Sequence, residues 1–274
     1  MPIFYGNIIM QANFLLKREL NKNLVCAVVR SPNFIHHFHS HIELYLIKSG
    51  EIEIMINDNK KVLGAGEISV ALSYDAHSYR TVDSSEAIYL IIPLEYCGEF
   101  LPLLSSKHLP SPFIKDEKTY KTVLSALEGI LDGGNEITRR GHIYSILGAI
   151  LDHMSDSKLT TAATDAFSPD ILIYLSNNFK NELTLESVAK EFGFNPSYLS
   201  RSFRETFGIS FIKYLNMLRL REAVILLQSG KMSVTECVYE SGFGSMRSFY
   251  RVFHDEFGCT PKEYFEKEQK SSAK

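Results

Sequence analysis

Two short regions of the chain carry side chains whose types and spacing can do chemistry. In "HHFHSHIELYLIKSG", residues 36–50, His39, His41 and Glu43 stand at i, i+2 and i+4, which places them on one face of a strand. "GEISVALSYDAHSYR", residues 66–80, adds His77 and Tyr79 after a turn, and Tyr45 continues the first face. Two histidines, a carboxylate and a later histidine form a donor set suited to iron, manganese or zinc. Without a metal the same groups line a polar pocket as hydrogen-bonding or structural residues. The second region is in the last hundred residues. Ser197, Tyr198, Ser200, Arg201 and Arg204 fall together on one helical face, and Met246, Arg247, Ser248, Tyr250 and Arg251 fall together on another. An arginine bonds guanine bidentately, worth about 1–3 kcal/mol of discrimination per base. Serine and tyrosine more often hold phosphate or water. Arg201, Arg247 and Arg251 are therefore the strongest candidates for reading bases.

The elements that must position these groups differ between the two halves. From about Leu24 to Pro93 the apolar residues alternate: in "EIEIMIN", Ile52, Ile54 and Ile56 face one way, and Glu51, Glu53 and Met55 the other. Turn residues at Ser49-Gly50, Asn57-Asp58-Asn59 and Gly64-Ala65-Gly66 divide this stretch into short strands, as in a sandwich or barrel. The period then changes. Ile143, Ile146, Leu147, Ile150, Leu151 and Met154 form one helical stripe, and "YKTVLSALEGIL" before it forms a similar one, ending at Asp132-Gly133-Gly134. Periodicity leaves open whether these stripes cover the sheet or pair with a second copy of the chain. "SDSKLTTAATDAF" reads as a linker, and Ser168-Pro169 as an N-cap followed by proline at the first helical position.

Beyond Ser168 one pattern is written twice. "GFNPSYLSRSFRETFG" (193–208) and "GFGSMRSFYRVFHDEFG" (242–258) keep their glycines and phenylalanines and change most polar residues. Thr184 and Ser233 occupy capping places, Gly193 and Gly242 the turns. Leu199, Phe203 and Phe207 form one inner stripe, and Phe249, Phe253 and Phe257 the other. Each unit is a helix-turn-helix whose second helix presents a polar face. The intervening "SFIKYLNMLRLREAVILLQSG" predicts one helix of roughly 18 residues, about 27 Å long, against a major-groove repeat of about 34 Å. Shared inner residues with different outer ones suit two helices that read two different stretches of DNA.

Length and composition bound this reading. A chain of 274 residues, 45% hydrophobic and 22% charged, accommodates two ordinary domains. Cys26, Cys97, Cys237 and Cys259 are scattered without CxxC spacing, so neither a disulfide framework nor a zinc ribbon is indicated. The N-terminus lacks the pattern of a secretion signal, and nowhere do 18 apolar residues run together, so the expected location is cytoplasmic with no membrane partner. The net charge of −3 divides into +1 from Ser168 onward (14 basic, 13 acidic) and −4 before it.

With these motifs in place, the last hundred residues resemble the AraC/XylS family of transcription regulators. The resemblance includes the closing Phe257, Gly258, Thr260 and Pro261. One position departs from the family: Cys237-Val238 stands where an isoleucine-alanine pair is usual, which puts a larger side chain at the helix crossing. The two histidine-bearing stretches resemble the paired motifs of the cupin barrel, the usual N-terminal partner of such a module. Metal-holding cupins carry a glutamate four or five positions after the second histidine. With His41 in that place, Tyr45 and Leu46 stand there instead. The expectation is therefore an effector pocket of His39, His41, Glu43, Tyr45, His77 and Tyr79, with no metal, no cofactor and no catalytic residue. The resemblance implies an N-terminal cupin-like β-sandwich or barrel with flanking helices and an all-α double helix-turn-helix. The expected boundaries are 1–157 for effector binding and dimerisation, 158–167 for the linker and 168–268 for DNA binding, with units at about 184–207 and 233–257. It implies double-stranded promoter DNA, a small-molecule effector, RNA polymerase and a second copy of the chain as partners, with activation as the outcome. The polar groups of the pocket suit a sugar-like effector and leave open a small acid paired with Arg80 or a histidine. A metal-dependent cupin enzyme fused to a DNA-binding module is the alternative.

Overall fold

Strand β4 (Ile42–Ile56) and strand β7 (His77–Ile92) pair antiparallel along most of their length and form the spine of the N-terminal half. The computed structural model describes residues 13–21, 23–97, 100, 107–156, 170–207 and 209–272. These fall into two units, one of residues 13–15 and 21–156, the other of 16–20 and 170–272. The linker expected at 158–167 and the Ser168-Pro169 cap lie outside the described residues.

In the first unit the strands are β1 (Asn13–Phe14), β2 (Val25–Arg30), β3 (Asn33–Phe38), β4, β5 (Asn59–Leu63), β6 (Ile68–Ala71), β7, β8 (Lys107–His108), β9 (Phe113–Ile114) and β10 (Ser155–Asp156). The main sheet runs β1-β3-β7-β4-β6-β9, with β2 also on β7 and β5 also on β4. Because β4 and β7 are long enough to pair with different partners at their two ends, the sheet folds over on itself.

Alternation along β4 decides what lies inside. Ile42, Leu44 and Leu46 face helices α2 (Glu117–Leu131) and α3 (Glu136–Leu151), where Val123, Leu127, Ile143, Ile146, Leu147 and Ile150 complete one core. Tyr45, Ile47, Ile52, Ile54 and Ile56 face the opposite way and build a second core with Leu63, Tyr79 and Ala87. The first half of β4 is covered on both faces, so Ile42 to Ile47 are buried without alternation, the Glu43 carboxylate among them. The helical stripes left open by periodicity are thus filled by the sheet.

Ser49-Gly50 does not end a strand. β4 continues through it, with register shifts between Ile47 and Ser49 and between Gly50 and Ile52. Gly50 sits at φ +71°, and a Cβ there would lie 1.8 Å from the Ser84 carbonyl oxygen. The glycine permits close approach of two backbones at a bulge, where it was expected to make a turn.

The second unit is helical: α1 (Leu16–Leu20), α4 (Asp170–Asn178), α5 (Leu185–Glu191), α6 (Pro196–Phe207), α7 (Phe211–Ser229), α8 (Val234–Glu240), α9 (Met246–Phe257) and α10 (Pro261–Ser272). Central α7 buries residues on all sides, among them Phe211, Tyr214, Leu218, Leu220 and Val224. Ser210 caps its start and Gly230, at φ +64°, its end. Arg219 of α7 donates to the carbonyls of Phe179 and Asn181 at 2.9 and 3.0 Å, securing the residues after α4. Among the described residues no helix is long and apolar enough to cross a membrane.

Candidate functional site

The helix-turn-helix units are built alike. Thr184 caps α5 by accepting from the Ser187 amide, and Ser233 caps α8 by accepting from the Glu236 amide; both boxes are closed by the return bond to the cap residue. Gly193 and Gly242 take positive φ at the turns, +70° and +86°. The next residue then bonds back to the helix crossing: Phe194 N donates to Ala189 O at 2.7 Å, and Phe243 N to Val238 O at 3.2 Å. Val238 is fully buried in the place Ala189 holds in the first unit, so the larger side chain is accommodated with the same backbone bond.

The exposed faces of the second helices, the candidate recognition faces, follow from these scaffolds. Leu199, Phe203 and Phe207 are buried on α6, and Phe249 and Phe253 on α9, while Phe257 is half-buried against Tyr264. That turns Ser197, Ser200, Arg201 and Arg204 of α6 and Arg247, Tyr250 and Arg251 of α9 to the exterior, with Tyr198, Met246 and Ser248 half-buried. Tyr198 leans on Phe194, ring centroids 5.6 Å apart. Ser248 is engaged in the cap of α9: its amide and hydroxyl lie 3.2 and 3.0 Å from the Ser245 hydroxyl oxygen. Among the described residues Arg201, Arg204, Arg247 and Arg251 make no ion pair, so their guanidiniums are uncommitted. A groove of about 570 Å³ lies along Ser197, Ser200, Arg201 and Arg204.

In the β unit the histidines converge differently from the strand-face reading. β3 ends at Phe38 and β4 begins at Ile42, so residues 39–41 form a connecting loop and the period of two breaks there. His41 points away from the others, its Nε2 3.0 Å from the Asn21 carbonyl oxygen and its Nδ1 3.2 Å from the Ser40 hydroxyl. His37, opposite His77 across the β3–β7 pair, takes the place in the cluster. His37, His39, Glu43 and His77 are all buried and each offers one donor atom, all within 4.8 Å of one another. His39 Nε2 lies 3.1 Å and His77 Nε2 3.7 Å from Glu43 Oε2. Tyr79 stacks on Tyr45 at 4.0 Å and meets His77 edge-on at 5.7 Å. Five of the six expected residues are thus grouped, with His41 outside and His37 added. The spacing that identifies His37 is His37-x-His39 with Glu43 four positions on; counting from His41 hid it.

Electrostatics match the burial. Burial, then the charge of His77, pushes His37 down to about 3, so its ring is neutral. Burial pushes the Glu43 carboxyl up, but the His39 hydrogen bond and the neighbouring His77 ring hold it well below the usual carboxylate range. Burial and the facing Glu43 charge push the Tyr79 phenol well up. Beside Tyr79 a cavity of about 480 Å³ opens, lined also by Asn33, Phe34, His36, Glu53 and Arg80.

The model for the "AraC-like ligand binding domain" matches residues 22–161, and that for a "Helix-turn-helix domain" matches residues 188–267. The chain belongs to the AraC family. Within it, this AraC-family chain is similar to the HTH-type transcriptional activator RhaS of Salmonella arizonae, 26% identical over 248 residues, covering 84% of this chain and 87% of the relative. RhaS of Citrobacter koseri is 24% identical over 245 residues with the same coverage. Among solved structures, ToxT from Vibrio cholerae covers 89% of this chain and 98% of its own at 13% identity, with a TM-score of 0.43. The AraC-family chain is accordingly a DNA-binding transcription regulator with an effector-binding domain.

Proposed function

We propose that this regulator is an activator that reads an asymmetric promoter site with α6 and α9, responds to a small molecule in the β unit, and catalyses no reaction. The observation that carries this is the pair of recognition faces. Two helices with the same buried stripe present different exposed residues, Ser197, Ser200, Arg201 and Arg204 on one and Arg247, Tyr250 and Arg251 on the other. That the two RhaS relatives are transcriptional activators supports activation. In this reading the protein works in the cytoplasm as a homodimer and contacts RNA polymerase. Residues 1–157 bind effector and dimerise, and 168–268 bind DNA.

The effector enters the cavity beside Tyr79, near Tyr45, His39, Glu43 and His77. Its lining sets Asn33, Glu53, Ser78 and Arg80 beside apolar Phe34 and Met55, a mixture that suits the hydroxyls and the ring face of a sugar-like molecule. An acid would have to compete for Arg80, which is held by Glu53 at 3.0 Å. Genome-wide binding of the full-length protein, with and without a panel of sugars and small acids, tests both halves. The expected result is a small set of promoters whose occupancy or transcription changes with one compound. Uniform low-affinity binding without preferred sites would refute the reading.

A further inference from the structure

The outer faces of α6 and α9 differ in chemical kind. Matching the buried stripes, Leu199 with Phe249 and Phe203 with Phe253, sets Pro196 against Met246, Ser197 against Arg247, Ser200 against Tyr250 and Arg201 against Arg251. One arginine is common to both helices. What α9 adds is a second guanidinium and an aromatic ring held at the surface: Tyr250 is 46% exposed, with half-buried Met246 one turn before it. Met246 and Tyr250 stand at i and i+4, as do Arg247 and Arg251, so the face carries an apolar row alongside a row of guanidiniums. The Tyr250 ring leans on the buried ring of Phe249, centroids 5.4 Å apart. Its hydroxyl makes no hydrogen bond among the described residues, so no internal bond holds the ring outward. On α6 the matching row is Pro196 and Ser200, with no long apolar side chain.

The base edges of the major groove present one apolar group, the C5-methyl of thymine. A tyrosine ring laid against it removes apolar surface from water on both partners. We propose that Tyr250, flanked by Met246, makes α9 a reader of thymine methyl groups in the segment whose guanines face Arg247 and Arg251, and that α6 reads no methyl. The proposal rests on the reading of α6 and α9 as the two recognition helices, and it goes further by giving each half of the site its own base chemistry. The competing use of a tyrosine at this place is a hydroxyl bond to phosphate. The two uses separate cleanly: a phosphate contact needs the hydroxyl and ignores the base, whereas a methyl contact needs the ring and ignores the hydroxyl.

The test begins with full-length protein selecting sites from random-sequence duplex DNA. Each thymine of the selected site is then replaced singly by deoxyuridine, which removes the C5-methyl and keeps every hydrogen-bonding group. Wild-type protein is expected to lose about fourfold in affinity at one or two thymines, the effect of uncovering one methyl-sized group. Tyr250→Phe is expected to keep that loss, and Tyr250→Ser, which places the α6 residue type on α9, to bind the thymine and deoxyuridine sites equally. Ser200→Ala is expected to leave the wild-type pattern unchanged. Circular dichroism checks the fold of the variants, and the deoxyuridine series on wild-type protein decides the matter without them. A selected site at which no deoxyuridine weakens binding overturns this proposal and leaves the two-helix reading standing. So does a methyl effect that persists in folded Tyr250→Ser, or a Tyr250→Phe protein that weakens on every sequence as much as Tyr250→Ser, which would assign the hydroxyl to phosphate. If no site is selected at all, the two-helix reading fails and this proposal falls with it.

Discussion

At the scale of single residues, the proposed base contacts rest on the exposed guanidiniums of α6 and α9. Arg201 and Arg251 are exposed and bound to no partner among the described residues, so neither has to break an internal contact to reach a base. Arg251→Ala is expected to cost about 1–3 kcal/mol on the preferred site and to relax selection at one base position, whereas a phosphate contact would weaken all sequences alike. Binding titrations against a set of single-base variants separate the two outcomes. Ser248 differs, since its hydroxyl is held in the α9 cap. Ser248→Ala is expected to change sequence preference little, and an equal loss on every site in the same titrations would assign it to phosphate. These residues were legible because helical periodicity separates inner from outer faces without knowledge of tertiary structure. The histidine cluster was legible only in part. Strand periodicity requires that the strand continue, and the loop at 39–41 rotates His41 out while cross-strand pairing brings His37 in beside His77.

At the scale of elements, the two helix-turn-helix units share a backbone but not its tolerance. A Cβ on Gly193 would meet nothing within 4 Å, whereas one on Gly242 would come within 2.8 Å of Lys180 Cα and 2.9 Å of Phe179 O. Both positions have left-handed backbone, so alanine at either costs about 1 kcal/mol of strain. At Gly242 overpacking against backbone adds about 1–3 kcal/mol more. Thermal melts of Gly193→Ala and Gly242→Ala are expected to show the second markedly less stable, and equal melting temperatures would contradict the close approach. The caps differ in chemistry as well. The α5 box closes with the Ser187 hydroxyl, while the α8 box closes with the Glu236 carboxylate, which accepts from the Ser233 amide and hydroxyl at 2.8 and 2.7 Å. Those bonds hold Glu236 below the usual carboxylate range. A folded-state value below the unfolded one means that the stabilisation is present above about pH 4.3 and is lost as pH falls through the folded value. Amide-exchange protection at the start of α8 is expected to fall on acidification while that of α5 holds. Turn glycines and cap residues announce such elements in sequence. What they do not announce is which backbone lies opposite, which is why Gly242 looks like Gly193 and why Gly50 reads as a turn although it lies within β4.

At the scale of the molecule, function depends on distances that no single motif contains. The helical unit takes in residues 16–20, far away in sequence, through Glu19, which is buried and receives a hydrogen bond from Arg221 at 2.9 Å. No local pattern marks a five-residue segment for that place, because the contact exists only once α7 is formed. The reach of the DNA-binding half is different, since it can be read from one helix. The 19 residues of α7, at about 1.5 Å each, span about 28 Å. Buried residues along α7 fix its packing within the unit, so the spacing of α6 and α9 is a property of a folded body rather than of a tether. Two recognition helices on one body meet one face of a duplex only if their target segments lie about one helical turn apart, 10–10.5 base pairs. Inserting about five base pairs between the two segments rotates one of them to the far side, and binding should then fall to the level of a single unit or of non-specific DNA. Inserting a full turn keeps the rotation but roughly doubles the separation, which α7 cannot span, so affinity should not return. Footprints on the three spacings measure this directly: protection of both segments at the half-turn insertion would mean that the two units move independently, and the rigid role of α7 would have to be abandoned.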